Sequence, residues 1–470
     1  MLIKYKKSSL FIFGFLFCFS GFLNAQEAND SLKNENEILL DISAFIKKAS
    51  QNDTYFEQIL IDELSLKYKK DLLLPAKDLV LEVKTTYDFI FSQDRNTPET
   101  EVSLSKLFPN TATTFSLSHT YSPSFSSTDN SSKVEFSIAQ PIVQNAFGKA
   151  TRLYDKIIGL ETDVARFQIS EAYEDYLCTT IIAYYNWYEA YEYLEIAKSS
   201  YASNEKLLEN IKARQKSKIA YEIDVNKIKV QLLSKKESLI KYEKQYENAF
   251  YIVKTALRSA DQDILIPQKP DIYKFESTDF NEDIRGFKQK SRTFKILKLL
   301  EDKSSLEVSK YANELLPSLD FLFAYELSGD KLTFDDNNQM LYFGLSLNLP
   351  LPNQVKKATL ENSKIAAKKI KLTANNIYYE LNKKINELYI NINRQKALIS
   401  LTQEKIKLAQ KILKAEKENY TYGKVTLNDY IDAVNKLDSN RFNLISHEML
   451  LGQLVIEKLR IMDQLISKPR

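Results

Sequence analysis

Apolar positions along the chain follow two different periods, and the two periods alternate in blocks. From about Gly148 to Lys212, and again from about Gln354 to Asn419, apolar residues recur at helical spacing with no proline between them. At about 1.5 Å per residue each block predicts a helix roughly 100 Å long. After each block comes a short break and a further helical pattern, near Asp224–Arg258 and Asn428–Ile466. Shorter helical patterns, near Glu37–Lys70 and Asp283–Asn313, precede each block at a distance. Between the short and the long helix the period drops to two. Val134, Phe136 and Ile138 alternate with Glu135, Ser137 and Ala139, and Phe343, Leu345 and Leu347 alternate with Tyr342, Gly344 and Ser346.

This order occurs twice. Leu73-Leu74-Pro75 and Leu315-Leu316-Pro317 each lead into a strand-like run, and Pro141 and Pro350 each end an alternating strand just before a long helix. The chain therefore reads as mainly α with β, built from two tandem repeats of helix, strands, very long helix, turn and helix. Residues 26–270 form the first repeat and residues 271–470 the second. Within the second long helix, Ile385, Ile392, Ile399, Ile406 and Leu413 fall seven apart, and Leu401, Leu408 and Ala415 make a second row on another face. A two-stranded coiled coil needs one seam, whereas a helix with neighbours on both sides needs two, so the pattern favours a tube or bundle of helices.

The strands are too few to close on themselves. The second repeat offers two, near Ser318–Leu327 and Met340–Leu349. The first offers two, or four if Glu101–Phe108 and Thr111–Tyr121 pair around Pro109-Asn110. A transmembrane barrel needs about eight or more, so strands lying in a membrane would require an oligomer.

Composition sharpens this picture. Nine glycines and eleven prolines in 470 residues are few, as long uninterrupted helices demand. Lys4, Lys6 and Lys7, the apolar run Ser9–Leu23 and the small residue Ala25 make a secretory leader over residues 1–25, with cleavage expected after Ala25. Phe17 before Cys18 argues against a lipid anchor. Loss of the leader removes three lysines and no acid, leaving bases and acids equal at 62, which gives no case for nucleic-acid binding. Only Cys178 then remains, so no internal disulfide can form. Beyond the leader no run of 18 apolar residues exists, so a span would have to be a β-barrel. His119 and His447 lie in different repeats with no metal-ligand spacing and read as surface polar residues. Tyr184, Tyr185, Trp187, Tyr188, Tyr191 and Tyr193 read as helix packing or a belt near a membrane edge. No catalytic constellation, metal site or cofactor motif is present in the sequence, and enzyme activity is not expected.

On these features the layout resembles the TolC family of bacterial outer-membrane channels. The residues that carry the resemblance most sharply are Tyr420-Thr-Tyr-Gly423-Lys-Val-Thr426-Leu-Asn-Asp429-Tyr-Ile-Asp432, the turn of the second helical hairpin. The first hairpin answers with Lys218-Ile-Ala-Tyr221-Glu-Ile-Asp224. Ser105–Thr111 and Ala139–Gly148 are similar to strand-edge segments of the family. The resemblance implies a homotrimer, with a shared β-barrel among outer-membrane lipids and an α-helical barrel through the periplasm. It further implies an adaptor protein and an inner-membrane transporter as partners, in a tripartite efflux pump or a type I secretion system. Asp224, Asp429 and Asp432 would then form a gate of like charges, while Tyr420, Gly423, Thr426, Lys218 and Tyr221 would shape the tips and meet the adaptor. Asp429 also stands three residues after Thr426, where an acid caps a helix. Two departures stand out: Val425 occupies the place of a family arginine that ties the closed gate, with Lys424, Arg214 and Lys218 the nearby charges, and Lys218 replaces the usual glycine of the first tip. A periplasmic coiled-coil scaffold is the rival reading. The exported substrate is not legible.

Overall fold

The computed structural model describes residues 37–73, 78–90, 95–123, 131–258, 264–272, 284–287, 290–329 and 339–465. The expected leader and Pro75 lie outside them. In chain order the elements are β1 (Glu37–Leu40), α1 (Ile42–Asn52), α2 (Thr54–Leu73), β2 (Leu79–Ile90), β3 (Arg95–Phe108), β4 (Thr113–Ser122), β5 (Ser131–Pro141), α3 (Lys149–Lys216), α4 (Glu222–Leu257) and β6 (Ile264–Pro267). They continue with α5 (Arg292–Glu314), β7 (Ser318–Gly329), β8 (Gln339–Asn348), α6 (Gln354–Thr421) and α7 (Leu427–Ile461). The long helices α3 and α6 contain 68 residues each, and the periodicity placed both within a few residues of their ends.

The largest difference from the expected elements is at the start. Glu37–Leu40 is a strand rather than the head of a helix, and it pairs in parallel with Ile264–Pro267. Asp41 then caps α1 by accepting the Ala44 N–H at 2.6 Å, and the chain breaks again at Asp53 before α2. The helix expected from Asp283 is likewise interrupted, because α5 starts at Arg292 after Ser291. Besides β1 and β6, the described residues up to 270 form four strands, β2–β5. Together with β7 and β8 they make one antiparallel sheet in the order β2-β3-β4-β5-β7-β8. β4 starts at Thr113 rather than Thr111, since Ala112 sits in the left-handed region at φ 56° and closes the preceding turn.

Helices and sheet meet at two similar corners. Before α3, Asn145 takes a left-handed backbone and its side chain accepts the N–H groups of Ala150 and Thr151 at 2.8 and 3.2 Å. Before α6, Asn353 takes the same conformation at φ 59°. Gly148, at φ +76°, closes the first corner so tightly that a Cβ there would stand 2.3 Å from the Asn110 carbonyl oxygen. Gly148→Ala is accordingly expected to cost about 2–4 kcal/mol, from the left-handed strain and the backbone clash together. Loss of folded protein in a denaturation series checks this, and a change below half a kcal/mol would contradict the tight corner.

The main core lies where α3 passes the two-stranded β1–β6 sheet. Tyr184, Tyr185 and Trp187 are fully buried there with Phe45, Met449 and Ile456. The aromatic run is thus core packing and not a membrane belt. The Tyr184 hydroxyl reaches the Leu40 and Gln268 carbonyls at 2.8 and 2.7 Å, and burial raises its pKa strongly. Neither histidine is a bare surface residue: His119 is hydrogen-bonded to Ser132 at 3.0 Å and His447 to Gln395 at 2.8 Å. Further along α3, the Lys235 ammonium of α4 meets Asp438 of α7 at 2.7 Å, and Ser200 of α3 donates to the same carboxylate.

The chain by itself leaves both flanks open. Helix α3 packs against α4, α5 and α7, and α6 packs against α5 and α7, so α4 and α6 are the outer helices of the wall. Of the two seams on α6, Ile385, Ile392 and Ile399 are buried within the chain, whereas Leu401 and Leu408 are 55% and 51% exposed. On the opposite flank, α4 exposes Val230, Leu233 and Ile240. The second seam is therefore present but unfilled by the chain itself. Among the described residues no helix is long and apolar enough to cross a membrane.

Candidate functional site

The turns joining α3 to α4 and α6 to α7 are built from the same hydrogen bonds. In the first, the N–H groups of Ser217, Lys218 and Ile219 donate to the carbonyls of Ala213, Gln215 and Arg214. In the second, those of Tyr422, Gly423 and Lys424 donate to Glu418, Tyr420 and Asn419. The steps are identical, and both close the helix through one left-handed residue, as a C-terminal cap requires. Gly423 fills that role at φ 72° and Lys218 at φ 56°. The first tip is thus the same turn without its glycine. Lys218→Gly is expected to stabilise by about 0.5–1 kcal/mol, the relief of left-handed strain less the added freedom of the unfolded chain; a shift of the urea midpoint to lower concentration would contradict it.

The next helix starts in each case with an acid at its third position. The Asp224 carboxylate accepts the Tyr221 N–H at 3.1 Å. The Asp429 carboxylate accepts the Thr426 N–H at 2.9 Å and the Thr426 hydroxyl at 2.6 Å, while the hydroxyl oxygen accepts the Asp429 N–H at 3.3 Å. The Thr426 hydroxyl and N–H hold the Asp429 carboxyl below the usual carboxylate range. Both acids also complement the positive end of their helices. Asp432 lies one turn further along α7 and is exposed.

A small core binds the two turns together. Ile211 of α3, Val225 and Ile228 of α4 and Leu427 of α7 are buried against one another, with Tyr420 and Tyr430 packed on them. The Arg214 guanidinium lies over the Tyr420 ring at 4.9 Å, and Tyr420 stacks on Tyr430 with centroids 5.9 Å apart. Burial raises the Tyr420 pKa, with Arg214 opposing and Asp224 adding to the rise. Of the three nearby charges, Arg214 is the one placed to join the hairpins where Val425 cannot. Its role depends on a tyrosine more than 200 positions away, which no local pattern discloses. Lys218, Tyr221 and Gly423 are all exposed around this core.

Residues 290–456 match the family model described as outer membrane efflux protein. Among solved structures, the chain is similar to the outer membrane channel CmeC of Campylobacter jejuni, with 13% identity, TM-score 0.68, and 95% of this chain and 94% of that one covered. It is similar to the open state of the outer membrane channel MtrE of Neisseria gonorrhoeae at 12% identity and TM-score 0.70, covering 91% and 90%. The outer membrane protein VceC of Vibrio cholerae gives 12% identity and TM-score 0.67, covering 90% and 95%. No curated protein matches the chain in sequence. Among the described residues no group of histidine, cysteine and acids could hold a metal ion.

Proposed function

We propose that the chain, freed of a leader over residues 1–25, is one protomer of a trimeric export duct, the outer-membrane component of a tripartite efflux pump or a type I secretion system. The observation that carries this reading is the pair of open flanks. The sheet has too few strands to close alone, and the α4 and α6 apolar rows lack partners within the protomer, so copies placed side by side satisfy barrel and tube together. The repeats, residues 26–270 and 271–470, supply the two halves of each wall segment. Cargo passes unchanged, and an inner-membrane transporter supplies the energy. An adaptor grips the tips through Tyr221, Lys218, Tyr420, Gly423 and Thr426. Asp224, Asp429 and Asp432 form rings of like charge near the axis, which favour cations and resist close approach of the tips.

Fractionation tests the reading first. A heat-modifiable trimer in the outer membrane supports it, whereas a soluble periplasmic protein would establish the scaffold instead. For the gate, Asp429→Asn combined with Asp432→Asn retains a polar side chain at the cap and removes two charges per copy. Cation preference in planar bilayers is expected to fall several-fold, with conductance raised as repulsion at the tips eases. Unchanged conductance and selectivity would remove these two residues from the constriction.

A further inference from the structure

The β2–β3 hairpin has no counterpart after residue 290, where β7 and β8 are the strands among the described residues. Its place in the molecule follows from register, length and side-chain alternation. β3 pairs with β4 continuously from Thr100↔Tyr121 to Phe108↔Thr113, so the hairpin prolongs the main sheet rather than forming a layer of its own. β2 and β3 contain 12 and 14 residues and the other four strands 10 to 12, each enough for a tilted strand to cross a bilayer.

One face is mainly apolar from edge to edge, with Lys106 and His119 as polar exceptions on it. The register sets Val83 beside Val102, Leu104 beside Leu117, Leu117 beside Phe136, Phe136 beside Tyr325 and Phe323 beside Phe343. In β2 this face shows Leu81 and Val83 at 65% and 61% exposure, matching Leu345 and Phe343 of β8 at 68% and 64%. The other face carries Glu82, Lys84, Glu99 and Glu101 in the hairpin, continued by Lys133, which bridges Glu135 and Glu326 at 2.9 and 2.8 Å. A hairpin folded over a rim has no use for an apolar face coplanar with the rest. Strand direction alternates along the sheet, so the free edge of β8 on one copy and the free edge of β2 on another run antiparallel when brought together.

We propose that all six strands of each copy, the β2–β3 hairpin included, form the membrane wall, and that β8 of one copy pairs with β2 of the next. This rests on the trimeric membrane reading above. Three copies of six strands close as an eighteen-stranded barrel, where omission of the hairpin would leave twelve. Barrel diameter grows roughly linearly with strand number, so the lumen is about 1.5 times wider than the sheet without the hairpin would enclose. Glu82, Glu99 and Glu101 against Lys84 line the added arc, which makes it acidic.

Single-cysteine variants of the full chain test this in the reconstituted trimer. The buried Cys178 thiol, whose pKa burial raises, leaves the background unreactive. Leu81→Cys and Val83→Cys, tagged with a small fluorophore in brominated-phospholipid vesicles, are expected to be quenched as strongly as Phe343→Cys. Glu82→Cys and Lys84→Cys are expected to escape quenching and to react with a membrane-impermeant maleimide, like Tyr342→Cys. Quenching at 343 but not at 81 and 83 would overturn the hairpin's place in the wall; absence of quenching at 343 would overturn the membrane reading itself. For the seam, Lys84→Cys combined in turn with Tyr342→Cys, Gly344→Cys and Ser346→Cys should yield an oxidised covalent trimer in at least one register. Cross-linking of Thr120→Cys on β4 to those positions instead would show a twelve-stranded wall.

Discussion

Replacing Arg292 with methionine is expected to cost about 3–5 kcal/mol, because it strips the cation from a buried set of carboxylates. Arg292 starts α5 and is 3% exposed. Its guanidinium meets Glu171 at 3.1 Å and Glu174 of the same helix α3, and it also meets Asp463, just beyond α7, at 3.1 Å. Glu174 is fully buried, so it cannot recover its hydration when the arginine is lost. Three helices come apart in their charge balance at once. The Asp463 carboxylate also accepts the Arg292 N–H, so methionine keeps one link and removes the others. A fall of the denaturation midpoint checks the prediction; a variant as stable as the parent would show that the carboxylates are hydrated or protonated without the arginine.

The same cluster gives a pH dependence with a definite sign. Burial, reinforced by the Asp463 charge and opposed by the Arg292 hydrogen bond, pushes the Glu171 carboxyl up to about 7 from its ordinary 4.5. Between those values the folded chain holds a proton that the unfolded chain has released. Its contribution to stability is complete below about 4.5 and is lost as pH rises through about 7. Glu171→Gln is expected to flatten that slope, and an unchanged midpoint-against-pH curve would count against it. In Arg292→Met the slope should steepen, since no cation then opposes ionisation.

Placing a charge on the apolar face of the sheet is the second large effect. Phe343→Arg puts a guanidinium midway along β8, where the side chain packs on Phe323 with ring centroids 5.3 Å apart. At the bilayer midplane an arginine on the lipid side of a barrel costs about 2–4 kcal/mol, and a trimer incurs it three times. The heat-modifiable trimer is expected to vanish from the outer membrane. Tyr342→Arg, one residue earlier, faces the other way beside Glu135, whose carboxylate accepts the Tyr342 hydroxyl at 3.1 Å. That variant should assemble, with altered ion selectivity. Equal tolerance of both changes would mean that the apolar face does not contact lipid.

Much of this molecule was legible because its signals are local and repeated. The period of 3.6 over Gln354–Thr421 needs no knowledge of any partner, and the tip turns announce themselves through Gly423, Thr426 and Asp429 within seven residues. Even Lys218 could be placed, since its turn copies the second one bond for bond. What escaped depended on distant partners. Glu37–Leu40 has the composition of a helix start and becomes a strand only because Ile264–Pro267 lies beside it. Arg292 looks like any helix-terminal arginine until Glu171, Glu174 and Asp463 converge on it. Arg214 stood among three candidate charges, and packing chose it by setting Tyr420 beneath it.

By itself the sequence determined the lengths of the long helices, the strand faces, the corners at Pro141, Pro317 and Pro350 and the turn residues of the second tip. Each of these is written in the spacing of residues that are neighbours along the chain, where backbone geometry alone turns spacing into shape. Only the tertiary structure decided that β2–β5 join β7 and β8 in one sheet, that a small parallel pair seals the aromatic core, and that one arginine balances three carboxylates. Those arrangements are set by burial and charge between segments one hundred or more residues apart, and a linear pattern carries no record of which segment will arrive opposite which.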